Sequence, residues 1–197
     1  MLGETLITGI GQGYTQTTPI QLCLMTAQIA NGGYKIQPKI LTDDNELTSE
    51  QVKKAMQDSK INNSYEPLYD DQKNIRIVQE AMFSSTNEIM GTSYKSRIDD
   101  PKYQFAGKTG TAQVKRISKR ERELDLKTFQ IPYEERDHAL YVAYGPYSNP
   151  RYAVSIIVEH GGSGSSAAAP MATQLFKLII DRHQYRKKLP DYKEFSI

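Results

Sequence analysis

The chain has 197 residues, of which 38% are hydrophobic and 24% are charged, and its net charge is +2. This composition is that of one globular domain, or of part of a larger one, and it excludes a disordered chain. The small net charge, with acidic and basic residues interleaved, argues against nucleic acid as a partner. The one cysteine, Cys23, lies in an apolar run, so no intramolecular disulfide is possible and we expect a buried small hydrophobe.

The beginning of the chain carries no targeting signal. No stretch reaches the ~18 apolar residues of a membrane span, and no signal peptide is recognisable. Met1 is followed at once by Leu2-Gly3-Glu4-Thr5, which is typical of the middle of a domain. We therefore expect the chain to begin inside a domain of a longer protein, so the missing signals do not indicate where that protein resides.

The first predicted helix covers residues 18–31, after a glycine-rich segment. Thr18 is a suitable N-cap, and Pro19 stands at the first helical position. Apolar side chains surround most of this helix, which predicts that it is buried, and Gly32-Gly33 ends it.

Two further helices are predicted before the first strand. A short one is predicted at 49–58, within the polar and turn-rich segment 41–74. A longer one is predicted at 74–90 and ends at Gly91. Four apolar side chains are expected to share the buried face of the longer helix: Ile75, Val78, Ala81 and Met82.

Three strands follow, predicted at 104–115, 138–147 and 151–160. The last two should form an antiparallel hairpin through Ser148-Asn149-Pro150. Between the first and second strands, residues 116–137 carry a dense mixture of charges. We expect a mobile solvated loop there, with a lid or a partner contact as the functional alternative.

The last predicted helix runs from about Ser166 to His183, after Gly161-Gly162-Ser163-Gly164 has ended the third strand. Four apolar residues at helical spacing form the centre of its predicted buried stripe: Met171, Leu175, Leu178 and Ile179. Four more residues widen the stripe: Ala168, Ala172, Phe176 and Ile180.

The segment with the clearest chemistry is Ala106-Gly107-Lys108-Thr109-Gly110-Thr111-Ala112-Gln113-Val114. It predicts a strand edge on which a cation, two hydroxyls and a bare glycine backbone lie together. Threonine hydroxyls and a nearby lysine suit a carboxylate, and the exposed N–H groups of an edge can pair with an extended peptide. A phosphate-binding loop is excluded, because Lys102 stands where the Walker pattern requires glycine and no helix signal follows.

Lys108-Thr109-Gly110 resembles the third motif of the penicillin-binding proteins and serine β-lactamases. The neighbouring segments extend the resemblance, in chain order, to the class B penicillin-binding proteins, and the long charged excursion points to their elongation-type members. The matching segments are residues 2–19, the motif strand, the hairpin 137–150, and Glu159-His160-Gly161-Gly162-Ser163-Gly164 with the last helix.

This resemblance implies an α+β fold, namely part of the penicillin-binding transpeptidase (serine β-lactamase-like) fold. An antiparallel sheet would carry the C-terminal helix, next to part of the helical subdomain. Residues 1–197 would be the C-terminal part of one transpeptidase domain, with 1–103 mainly helical subdomain and loops and 104–197 strands and C-terminal helix. Because further strands and a helix would come from upstream sequence, we expect this fragment to self-associate or to be marginally stable.

The resemblance also implies substrate-binding roles along the motif strand. Lys108 would help to hold the hydroxyl network of the cleft and its positive potential. Thr109 and Thr111 would bind the terminal carboxylate of a D-Ala-D-Ala stem peptide, or the carboxylate of a β-lactam. The Thr111 backbone N–H would be one donor of the oxyanion hole. Gly110 and Gln113 would let the peptide lie along the strand.

The catalytic serine and lysine of that family have no counterpart in this chain. No serine here has a lysine three residues later, and the single Ser-x-Asn match, Ser85-Thr86-Asn87, lies inside a predicted helix and is interpreted as chance. We therefore expect an inactive fragment without catalytic residues, from a parent that cross-links peptidoglycan by serine acyl transfer. A β-lactamase, a D,D-carboxypeptidase and a non-catalytic penicillin-binding sensor are the alternatives.

The expected setting of the parent is the periplasmic face of a bacterial inner membrane, with membrane proteins of the elongation complex as partners. No cofactor is expected. No metal is expected either, because His138, His160 and His183 are far apart in sequence and show no ligand spacing.

Overall fold

The computed structural model describes residues 2–9, 11–14, 16–38, 67–68, 71–115, 123 and 126–186. Its helices are α1 (Leu2–Gly9), α2 (Pro19–Ala30), α3 (Gln72–Asn87) and α4 (Ala169–Arg186), and its strands are β1 (Ala106–Ala112), β2 (His138–Gly145) and β3 (Tyr152–Val158). Turns of 3-10 helix occur at Tyr94–Ser96, Thr128–Gln130 and Tyr133–Glu135, and a π-helical turn covers Gly164–Ala168. The helix predicted at 49–58 lies outside the described residues. No helix in the described part of the chain has both the length and the hydrophobicity needed to cross a bilayer.

The three strands form one antiparallel sheet in the order β1-β2-β3, which confirms the predicted strands and the predicted hairpin. β1 is shorter than the predicted 104–115, because both of its ends leave the regular ladder. At the first end, the Tyr147 N–H donates to the Gln104 carbonyl at 2.7 Å. Beyond the second end, the Val114 N–H donates to the Asp137 carboxylate at 3.2 Å.

Helices cover both faces of this sheet, since successive residues of a strand point to opposite faces. On one face, α4 and the sheet share the main core, in which the rings of Phe105 and Phe176 stack with centroids 4.9 Å apart. On the other face, where α2 and α3 pack, Met82, Ala106 and Tyr144 form a second buried cluster. The expected α+β arrangement, with the C-terminal helix packed on an antiparallel sheet, is therefore confirmed.

The start of α2 follows the sequence prediction, but its burial does not. The Thr18 side chain accepts from the backbone of Gln21 at 3.3 Å and completes a capping box. Within α2 only Thr26 is fully buried, whereas Ile20 and Met25 are 54% and 41% exposed. The expectation of a helix buried on most sides is wrong for the described structure, because α2 packs on β2, β3 and the helix Gln72–Asn87, while the side that carries Ile20 and Met25 is exposed.

Cys23 lies on the covered side of α2 and is half-buried, not fully buried as predicted. Its thiol donates to the Ala153 carbonyl of β3 at 3.4 Å. Partial burial raises the pKa of this thiol, which favours the neutral form. Cys23 therefore acts as a packing residue between α2 and the sheet.

The buried face of α3 matches the predicted one in part: Ile75 and Met82 are buried as predicted, but Val78 and Ala81 are not. Val78 is 40% exposed, and Ala81 is exposed as well. Gln79 takes part in the covered face because its Nε2 donates to the Ile29 carbonyl of α2 at 2.7 Å. Hydrogen bonding, and not hydropathy alone, thus sets the orientation of α3. Its fully buried residues are Ile75, Met82 and Thr86.

α4 begins later than predicted, because the π-helical turn occupies the first part of the expected helix. Met171 and Leu178 were expected at the centre of its buried stripe, but they are 49% and 64% exposed. The residues expected at the margin form the buried face instead: Ala172, Phe176 and Ile180. The small alanines let the helix approach the sheet closely, and this close packing decides which side faces inward.

Candidate functional site

The Lys108-Thr109-Gly110-Thr111 segment lies on β1, the first strand of the sheet order. Among the described residues, no strand pairs with the outer side of β1. In an antiparallel pair, alternate residues turn their backbone groups toward the partner strand or away from it. The carbonyls of Phe105 and Gly107 meet side chains of α3 on the side away from β2, so the odd-numbered residues of β1 present their N–H and C=O groups at the outer edge.

The first part of this outer edge is covered by α3. The Asn87 side-chain amide donates to the Phe105 carbonyl at 2.9 Å, and Thr86 Oγ1 lies 3.4 Å from the Gly107 carbonyl oxygen. The first distance is that of an ordinary hydrogen bond and the second is long, so Asn87 is the firmer anchor. The Ser85-Thr86-Asn87 triplet lies inside α3 as expected, and it supports the motif strand in a way that the sequence did not indicate.

Beyond Gly107 the outer edge is open in the described structure. Lys108 is exposed, and its Nζ donates to the Thr109 carbonyl at 2.8 Å. Thr111 is exposed, and no hydrogen bond joins its outward N–H to another described residue. Gln113 is exposed as well and follows directly after the end of β1. The predicted substrate-binding residues therefore line one open strand edge, and Gln113 stands just past its end.

A buried group of hydroxyls lies behind the motif strand. Thr86, Ser93 and Tyr141 form this group and are 0%, 1% and 0% exposed. Tyr141 pairs with Thr109 in the register of β1 and β2. The Tyr141 Oη lies 2.9 Å from Thr86 Oγ1 and 3.1 Å from Ser93 Oγ, so it links the sheet to α3. Burial raises the pKa of Tyr141, and its hydrogen bonds with Ser93 and Thr86 oppose this effect more weakly.

Gly107 is the position that gives the Tyr141 ring its room. A Cβ atom at residue 107 would lie 2.3 Å from Tyr141 Oη and 2.5 Å from Tyr141 Cζ. Both distances are far below van der Waals contact, so a side chain here would push the ring away from Thr86. The glycine in front of the motif lysine therefore has a packing function next to the candidate site.

The π-helical turn supports β1 from the α4 side, at the level of Gly110. A Cβ atom at Gly164 would lie 2.4 Å from the Leu140 carbonyl oxygen and 2.8 Å from the Gly110 carbonyl oxygen. Gly110 and Leu140 are partners in the sheet register, so the backbone of Gly164 rests on this pair. The sequence predicted only that the glycines of this segment would end β3.

Beyond the end of β1, two histidines meet that the sequence left far apart. His138 is the register partner of Ala112, and its Nδ1 accepts the His160 N–H at 3.0 Å. Their rings lie 4.8 Å apart, and the Tyr133 ring lies 5.0 Å from that of His160. The part of the chain that the structure describes contains no group of three or more side chains that could hold a metal ion. Through the hydrogen bond between them, His138 and His160 connect the segment after β3 to the start of β2.

The described part of the excursion after β1 is mostly exposed, in agreement with the expected solvated segment, but it also has local structure. Residues 126–137 form two short 3-10 turns, and Lys115 Nζ pairs with Glu135 Oε2 at 2.5 Å. Thr128 reaches the connection before α4, since a Cβ atom at Gly162 would lie 2.3 Å from Thr128 Cγ2. These contacts join the segment to β1 and to the connection before α4. Residues 116–122, 124 and 125 lie outside the described residues.

The comparisons with known proteins agree with this fold of helices and a three-stranded antiparallel sheet. Residues 2–177 match the family described as the penicillin binding protein transpeptidase domain. The chain belongs to this family.

Within the family, the similarity is to penicillin-binding protein 2. The chain is 30% identical to the peptidoglycan D,D-transpeptidase MrdA of Haemophilus influenzae over 201 aligned residues, covering 99% of this chain and 28% of that protein. It resembles Pseudomonas aeruginosa penicillin-binding protein 2 in complex with WCK 5153, with a TM-score of 0.61 and 34% identity over 90% of this chain and 33% of that one. For Helicobacter pylori penicillin-binding protein 2 in complex with MreC, the TM-score is 0.61 and the identity 29%, over 95% of this chain and 28% of that one. The chain thus spans about a third or less of the length of these relatives.

Proposed function

We propose that this chain is the C-terminal part of the transpeptidase domain of a penicillin-binding protein 2, and that its β1 edge forms one wall of the active-site cleft. Residues 1–103 contribute to the helical subdomain and its loops, and residues 104–197 supply the strands and the C-terminal helix. The parent protein cross-links stem peptides of peptidoglycan by serine acyl transfer. The family match and the similarity to penicillin-binding protein 2 support this assignment.

The observation that carries the proposal is the change in the outer edge of β1 at Gly107. The carbonyl groups before this point meet side chains of α3, whereas the edge from Thr109 onward is open in the described structure. An open edge of this kind can take up an extended peptide by strand addition. The peptide would pair with the outward N–H of Thr109 and the outward backbone groups of Thr111, and it would compete with Lys108 Nζ for the Thr109 carbonyl. This stretch is therefore the proposed place for a stem peptide.

The side chains on the open stretch suit the charge of such a peptide. In the proposal, the Thr109 and Thr111 hydroxyls bind the terminal carboxylate of a D-Ala-D-Ala stem peptide or of a β-lactam. Lys108 is exposed and adds positive potential beside this carboxylate. Gly110 and Gln113 leave room for the peptide along the strand. The outward Thr111 N–H is one donor of the oxyanion hole, which stabilises the charge that develops on the reacting carbonyl.

The nucleophile and its base lie outside this chain in the proposal. The Ser-x-x-Lys motif is absent from the sequence, and the single Ser-x-Asn match belongs to α3. The isolated chain is therefore inactive and contains recognition elements without the acylated serine. No cofactor is needed, since acyl transfer to serine uses only protein groups.

We also propose the cellular setting of the parent from its relatives. The Helicobacter pylori penicillin-binding protein 2 has been seen in complex with MreC. By analogy, the parent acts at the periplasmic face of the bacterial inner membrane, together with membrane proteins of the elongation complex. Nucleic acid is not among its partners.

Labelling with a fluorescent penicillin tests this function. The parent protein should give a covalent band that survives denaturation, and the isolated chain should give none. A stable band on the isolated chain would overturn the account of where the nucleophile lies. Rapid loss of the label from the parent would instead favour a β-lactamase or a D,D-carboxypeptidase.

A further inference from the structure

The turn after α3 folds back against the last turn of that helix. Gly91 lies so close to it that a Cβ atom would meet the Ser85 carbonyl oxygen at 2.3 Å and the Ser84 carbonyl oxygen at 2.6 Å. The next residues continue along the helix, since the Ser93 N–H donates to the Ser85 carbonyl at 3.1 Å. Thr92 is held between these two fixed points, so its position next to β1 follows from the backbone.

Thr92 is exposed and reaches the motif strand with its hydroxyl. Thr92 Oγ1 lies 3.3 Å from Thr109 Oγ1 and 3.3 Å from Ser85 Oγ. Three hydroxyls therefore stand in a row from α3, through the turn, to β1. Thr109 is the last of them and belongs to the open part of the strand edge.

A row of hydroxyls has a direction once an anion binds at one end, because each hydroxyl donates a single proton. A carboxylate only accepts, so Thr109 has to point its proton at the bound group. Thr109 can then accept from Thr92, and Thr92 can accept from Ser85. Each acceptor bond polarises the next donor, which strengthens the bond to the anion.

We propose that Thr92, supported by Ser85, is a positioning residue that orients the Thr109 hydroxyl toward the substrate carboxylate. This inference rests on the proposed function, in which Thr109 binds that carboxylate. Thr92 acts through Thr109 and touches neither the reacting carbonyl nor the nucleophile. This role is not recognisable in the sequence, because Thr92 lies 17 positions before Thr109.

The test uses the full-length parent with Thr92→Val, which replaces the hydroxyl by a methyl group of similar size. The second-order rate of acylation is measured with a penicillin that has its free carboxylate and with the methyl ester of the same penicillin. A net hydrogen bond of ordinary strength corresponds to a loss of about 3- to 10-fold for the free acid. The rate for the ester should stay at the wild-type value, and Thr92→Ser should restore the rate for the free acid.

A matched control is Thr17→Val, which removes a hydroxyl from an exposed threonine before α2. It should leave both rates unchanged. The Thr92→Val and Thr109→Val losses should not add in the double variant, since both act on one hydroxyl. Equal losses for acid and ester would overturn the inference, because they would indicate a general structural defect, and so would an unchanged rate for the acid. A wild-type parent that no penicillin labels would refute the proposed function, and this inference with it.

Discussion

Gly164→Ala tests how firmly the π-helical turn is fixed against the motif strand. The new Cβ atom would lie 2.4 Å from the Leu140 carbonyl oxygen and 2.8 Å from the Gly110 carbonyl oxygen. Both atoms belong to paired strand backbone, so no side-chain rotation can relieve the contact. The turn has to move by about 1 Å to reach van der Waals distance. Overpacking of this kind costs about 3 kcal/mol, at the upper end of the usual range.

Thermal unfolding followed by far-UV circular dichroism measures this loss. In a chain of this size, about 3 kcal/mol lowers the midpoint by roughly 6–12 °C. Gly3→Ala is the matched control, because its Cβ atom would meet nothing within 4 Å and alanine favours the helical state of α1. It should leave the midpoint unchanged or raise it slightly. A Gly164→Ala midpoint equal to that of the wild type would refute the close packing of the turn on β1 and β2.

Three further outcomes follow from the same contacts. Phe176→Ala removes a fully buried ring that stacks on Phe105. It should lower the free energy of unfolding, measured in urea, by about 3–5 kcal/mol. Leu178→Ala, at the exposed side of α4, is the control and should lower it far less. Burial raises the pKa of Tyr141 and Tyr144 in the folded state, so the unfolded chain loses these protons first and stability should fall as the pH rises above about 10. Tyr141→Phe should reduce this alkaline loss, and a slope identical to the wild type would contradict it. Apolar residues of α1 and α2 are exposed. In size-exclusion chromatography the isolated chain should therefore elute as a self-associated species, or it should unfold at low temperature. A monomer with a cooperative unfolding transition at high temperature would argue against this.

The elements that sequence predicted well are those with local signals. Thr18 and Pro19 mark the start of α2 because capping depends only on neighbouring residues. The β2–β3 hairpin follows from two apolar runs around a short turn. The residue types of Lys108-Thr109-Gly110-Thr111 predict a strand edge with exposed polar groups, and the position of β1 at the edge of the sheet agrees with that prediction.

The features that sequence missed depend on contacts between distant residues. The inward face of α3 contains Thr86, a polar residue that hydropathy places outside but that bonds to Tyr141 across 55 positions. Sequence also misses why residue 164 is a glycine. A side chain there would collide with the carbonyl groups of Gly110 and Leu140, which are distant in sequence. Thr92 reaches Thr109 only because Gly91 packs on α3. A pattern of residue types carries no information on contacts between residues that are distant in sequence. The contacts of Thr86, Thr92 and Gly164 with the motif strand are therefore visible only in the structure.

The most direct test of the β1 edge as a substrate-binding wall is a crystal structure of the parent protein acylated by penicillin. The account predicts that the carboxylate of the adduct lies within about 2.5–3.2 Å of the Thr109 and Thr111 hydroxyls. It also predicts that the adduct carbonyl accepts the outward N–H of Thr111. A carboxylate bound away from both threonines, or an adduct carbonyl turned away from β1, would contradict the account.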